Sequence, residues 1–128
     1  MHTWLSVVPV LTQPTAAVNI IAITVNKTAQ QHDLDATEAD CTCWLTAVNV
    51  KSNQTATEPL HYKTYSRPPT TEMAAGESLT TIVPLGRFFN NLAPGLYRLS
   101  LVIGAGAEKR PNSVVTSTDA LLYVAAKP

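Results

Sequence analysis

A chain of 128 residues, 45% of them hydrophobic, is long enough to fold as one domain and bury a core without staples, and too apolar to be disordered as a whole. Nine Lys and Arg balance nine Asp and Glu, so no basic field draws the protein to nucleic acid. No run of about 18 apolar residues is present, which excludes a helical membrane span.

Only 14% of the residues are charged; Thr, Asn and Ser carry the polarity instead. That balance favours β-structure with a weakly charged surface, as on a virus particle or outside a cell. The start, Met1-His2-Thr3-Trp4, lacks the basic region of a signal peptide, so either no secretion signal exists or one has been removed.

Trp4 to Leu11 is apolar and β-branched, with Pro9 inside it. Proline cannot donate to a ladder, which predicts an edge strand. Val18 to Val25 follows, apolar on both alternating faces, and so reads as a strand that is central or covered on both sides. Residues 26–42 are polar and carry Asp33, Asp35, Glu38 and Asp40. Such spacing invites a calcium loop, but the EF-hand pattern is absent, and a solvated acidic loop is the preferred reading.

Cys41 and Cys43 would share one face of a strand, and a disulfide between them would close a very small ring. They are read as two small buried thiols, with a metal or redox site as the lesser alternative. His2, His32 and His61 are scattered and offer no zinc spacing.

Cys43 to Val50 is a strand, residues 51–55 a turn, and Pro59 to Tyr65 a further strand ended by Pro68-Pro69. Gly76-Glu77-Ser78 opens the next, with Leu79, Thr81, Val83 and Leu85 on one face. Phe88 and Phe89 lie in a crossing segment and are placed to plug one end of the core. From Leu96 to Ile103 the alternation is clean: Tyr97, Leu99, Leu101 and Ile103 point inward, Arg98 and Ser100 outward. After the charged stretch Glu108-Lys109-Arg110, Ala120 to Ala125 closes the chain. The pattern predicts an all-β fold: an immunoglobulin-like β-sandwich of seven or eight antiparallel strands with Greek-key connections, one domain over 1–128.

Leu92-Ala93-Pro94-Gly95-Leu96-Tyr97 reads as a tyrosine corner, in which Pro94 and Gly95 set a turn and Tyr97 bonds to backbone upstream. Residues 74–103 as a whole, with weaker agreement at Val48-Asn49-Val50, resemble small Ig-like domains that precede aspartate-zinc endopeptidases, and the intracellular proteinase inhibitors of bacilli. The resemblance implies a sandwich fold and, as one option, a peptidase inhibitor or propeptide-like role. The chain lacks the His-Glu-x-x-His zinc helix of those peptidases, and no inhibitory loop residue can be carried over.

No nucleophile elbow, phosphate loop or dinucleotide fingerprint occurs, so neither catalytic residues nor a cofactor is assigned. His61, Tyr62, Tyr65 and Arg67 cluster in one strand and its exit, residue types enriched at protein interfaces. Asn26-Lys27-Thr28 and Asn53-Gln54-Thr55 fit the N-glycosylation pattern, which matters only in a eukaryotic secretory context. The functional expectation is a non-catalytic structural or interaction module with a protein partner or larger assembly, extracellular or on a virion; oligomeric state stays open. The alternatives are the inhibitor role and a calcium- or carbohydrate-binding sandwich.

Overall fold

The computed structural model describes residues 1–7, 10–11, 18–56, 69–89, 91–105 and 114–126. These residues are all-β, with ten strand segments and one 3-10 turn. Three segments make the first sheet: β1 (His2–Ser6), β3 (Asn19–Val25) and β7 (Ser78–Pro84), in the order β1-β3-β7 and antiparallel throughout. The second sheet runs β2 (Val10–Leu11), β10 (Ala120–Val124), β8 (Gly95–Gly104) and β5 (Cys43–Asn49). β9 (Val114–Thr116) also pairs with β8. A small ladder joins β4 (His32–Leu34) to β6 (Thr71–Met73).

The first apolar run is therefore two strands. β1 edges the first sheet and β2 edges the second, and Pro9 lies outside the described residues. β2 runs parallel to β10, against the expectation of antiparallel pairing only. Three elements had no sequence signal, β4, β6 and β9. Each is three residues long, too short for a period to register.

β3 is central, as its composition predicts, but only one of its faces is buried. Ile20, Ala22 and Thr24 point into the core while Ile21 and Ile23 are exposed. β8 is the longest strand, and its inward set Tyr97, Leu99, Leu101 and Ile103 is buried throughout. Each such side chain contributes about 1.5–3 kcal/mol when fully buried. The inward residues of both sheets join a single apolar cluster, and Phe88, Phe89 and Leu92 of the crossing segment complete it.

β9 and β10 occupy the same side of β8, one after the other. The gap between them is bridged by Ser117, whose N–H donates to Leu101 O at 2.8 Å. Its hydroxyl accepts from Leu101 N at 2.9 Å, standing in for the missing carbonyl of the ladder. Thr118 N donates to Thr3 O at 3.0 Å, which ties this edge back to the first sheet.

Candidate functional site

Two regions of the described chain carry chemistry beyond the core. The first is the outward face of the first sheet. Register places Trp4 opposite Ile23, and Ile21 opposite Ile82, so one apolar stripe crosses all three strands. Trp4, Ile21 and Ile23 are each 38% exposed and Ile82 47%. At its rim His2 packs on Trp4 with ring centroids 4.1 Å apart, and Lys27 Nζ sits 5.0 Å from the indole centroid. Four large apolar side chains in register on one face form a patch of the kind that marks interaction surfaces, unlike apolar residues scattered singly.

The second region surrounds the cysteines. They are not free thiols: Cys41 and Cys43 form a disulfide, which corrects the reading of two thiols. The expectation assumed that both lie on a strand, where residues two apart are about 6.6 Å apart. In fact β5 begins at Cys43, and the chain bends at Thr42, bringing the two Cα atoms to 5.3 Å, inside the range a disulfide spans. Backbone bonds hold the bend. Thr42 N donates to Asp35 O at 2.8 Å, and Gly104 N donates to Thr42 O at 2.8 Å. Cys41 pairs with Ala36 across a tight turn in which Thr37 N donates to Asp40 O at 2.7 Å.

Arg87, the last residue of the 3-10 turn Leu85–Arg87, reaches back onto this loop. Its Nη1 lies 3.0 Å from Asp40 Oδ1, 3.9 Å from Cys41 Sγ and 3.8 Å from Cys43 Sγ, while Nη2 donates to Cys41 O at 2.9 Å. Asp40 Oδ1 also accepts from Cys41 N at 2.9 Å. Cys41 is fully buried and Cys43 partly exposed. Thr42, the intervening residue, has its Oγ1 buried without a hydrogen-bond partner.

The acidic stretch is not a uniformly solvated loop. Glu38 is exposed, but Asp35 is buried, its carboxylate packed so close to Gly104 that a Cβ there would lie 2.7 Å from Oδ2. Asp40 is committed to Arg87. Among the described residues, no three His, Cys, Asp or Glu side chains are grouped so as to hold a metal ion, and no helix is long and apolar enough to cross a membrane.

The interface candidates His61, Tyr62, Tyr65 and Arg67 lie outside the described residues. At the corner, Tyr97 Oη donates to Ala93 O at 2.8 Å, and Gly95 has φ +149°, a value L side chains rarely adopt. Asn26 of the first glycosylation triplet is fully buried. Its Nδ2 donates to Gln30 O at 2.8 Å and Met73 O at 2.9 Å, and its Oδ1 accepts from Thr28 N and Thr28 Oγ1. Asn53 of the second triplet is exposed.

Sequence reasoning singled out neither Trp4, Ile21, Ile23 and Ile82 as a patch nor Arg87 as a partner of the cysteines. The two-sided apolarity of β3 was the available signal for the patch. Arg87 had none, because 44 residues separate it from Cys43. The chain matches no protein-family model and no curated protein sequence.

Proposed function

We propose that the chain is a single immunoglobulin-like β-sandwich domain, with Greek-key connections, that acts as a non-catalytic structural module by packing against copies of itself in a larger assembly such as a virion surface or a secreted multidomain array. The strand orders β1-β3-β7 and β2-β10-β8-β5 support the sandwich reading: the chain switches sheets between β1 and β2 and between β7 and β8. The Tyr97–Ala93 bond adds to it.

The apolar stripe Trp4–Ile23–Ile21–Ile82 carries the functional half. A second copy is the occupant because the formal net charge is zero and few residues are charged, so like surfaces approach without mutual repulsion. A two-fold contact also needs only one self-complementary patch.

Size-exclusion chromatography with light scattering tests this. The wild type is expected to elute as a dimer or larger. Ile23→Lys should weaken association at least tenfold, since a charge on that face must be desolvated in the contact. A wild type that stays monomeric at every concentration would overturn the reading.

A further inference from the structure

We infer that the Cys41–Cys43 disulfide is a thiol–disulfide exchange site, at which Arg87 stabilises the thiolate that leaves, rather than a structural staple. The crosslink spans one intervening residue, so it removes little freedom from the unfolded chain, whose gain from a disulfide grows with loop length. It also joins no two elements of the fold: the bend at Thr42 is already held by backbone bonds from Asp35 and Gly104, and Cys41 by its pairing with Ala36. Opening the bond therefore leaves the surrounding ladder in place. A cross-link that contributes so little as a staple leaves its chemistry to be explained.

That chemistry is built into the surroundings. A cation beside a sulfur favours its thiolate, and a better-stabilised thiolate leaves faster and makes its disulfide the stronger oxidant. Arg87 Nη1 stands within 3.9 Å of both sulfurs, fixed there by Asp40 and the Cys41 carbonyl. Asp40 positions the guanidinium but offsets part of its charge. The two residues differ in exposure: Cys43 is partly exposed and Cys41 is buried.

The reaction follows from that asymmetry. The thiolate of an external dithiol attacks Cys43 Sγ and forms a mixed disulfide. The Cys41–Cys43 bond breaks, and its electron pair leaves on Cys41 Sγ, facing Arg87. The second thiol of the dithiol then attacks its own partner sulfur in the mixed disulfide, releasing Cys43. The external dithiol is oxidised to its disulfide, and the protein is reduced by two electrons and takes up two protons. In reverse, the oxidised external disulfide regenerates the Cys41–Cys43 bond.

The folded protein is equilibrated with mixtures of reduced and oxidised dithiothreitol, its thiols are trapped with iodoacetamide, and the products are weighed. Arg87→Gln is expected to need about tenfold more reduced over oxidised reagent at half-reduction, equivalent to about 30 mV for two electrons. Asp40→Asn should shift the ratio in the opposite direction, which general destabilisation would not do. In the single-cysteine variants, Cys43 (in Cys41→Ser) should react with an aromatic disulfide reagent at least tenfold faster than Cys41 (in Cys43→Ser).

The reduced wild type should melt cooperatively within about 5 °C of the oxidised form. Titrations of both charge variants within twofold of wild type would overturn the inference, and so would equal thiol rates or loss of the cooperative melt on reduction. Should Arg87→Gln fail to fold, Asp40→Asn and the two thiol rates decide the matter.

Discussion

Tyr97 and Asn26 illustrate how single polar groups fix this fold. The Tyr97 ring is core, and its hydroxyl is matched by one acceptor, Ala93 O, four residues upstream. Removing the hydroxyl leaves that carbonyl without its partner and changes little of the packing. Tyr97→Phe should therefore cost about 1 kcal/mol, the scale of one buried hydrogen bond, read as a lower urea midpoint at constant slope. Asn26 is more demanding, since its amide closes two donor bonds and accepts two more. Asn26→Ala strands the Met73 and Gln30 carbonyls and opens a polar void. Its expected loss is about 2–4 kcal/mol, larger than that of Tyr97→Phe in the same urea titration.

At the scale of elements, the turn before β7 and the end of β3 are one unit. Asn26 N donates to Glu77 O at 2.9 Å, Gly76 N donates to Asn26 O at 2.7 Å, and Gly76 takes φ +83° to allow it. Amides of β7 residues nearer the turn should therefore lose their hydrogen-exchange protection in Asn26→Ala before those of β8 do. The long strands were legible in the sequence because their periods run over seven to ten residues, as in β7 and β8. β4, β6 and β9 were not, because what holds a three-residue ladder is a distant partner. β9, for instance, is placed by β8 and by the Ser117 side chain. The Cys41–Cys43 bond was missed for a related reason. The strand start at Cys43 was legible, but the bend at Thr42 that brings Cys41 within reach is imposed by Asp35 and Gly104 from elsewhere in the chain.

The whole molecule offers a direct test of whether its two principal sheets fold together. Trp4 lies in the first sheet and Trp44 in the second, and both are partly exposed. Each tryptophan reports its own sheet. With Trp4→Phe and Trp44→Phe separating the signals, the two fluorescence transitions in denaturant should each coincide with far-ultraviolet circular dichroism of the same variant, as a single cooperative domain requires. Two separated midpoints would mean that the sheets unfold independently. The apolar patch, by contrast, was half visible in the sequence. The doubly apolar pattern of β3 pointed to a strand either central or covered on both sides; it is central, and among the described residues one side is the core while the other presents Ile21 and Ile23 outward. Charge and composition alone cannot say which face of such a strand the rest of the chain covers.

The enclosure of Asn26 gives its acceptor triplet a time limit. Once Gln30 and Met73 have taken both amide hydrogens, an enzyme that attaches sugar has no nitrogen to reach. In a cell that glycosylates such triplets, Asn26 would be open to modification only on nascent or unfolded chains, and a copy modified there could not make the native turn. Asn53 would stay accessible after folding. Occupancy at Asn26 relative to Asn53 would then act as a clock, recording how quickly the chain closes its first sheet.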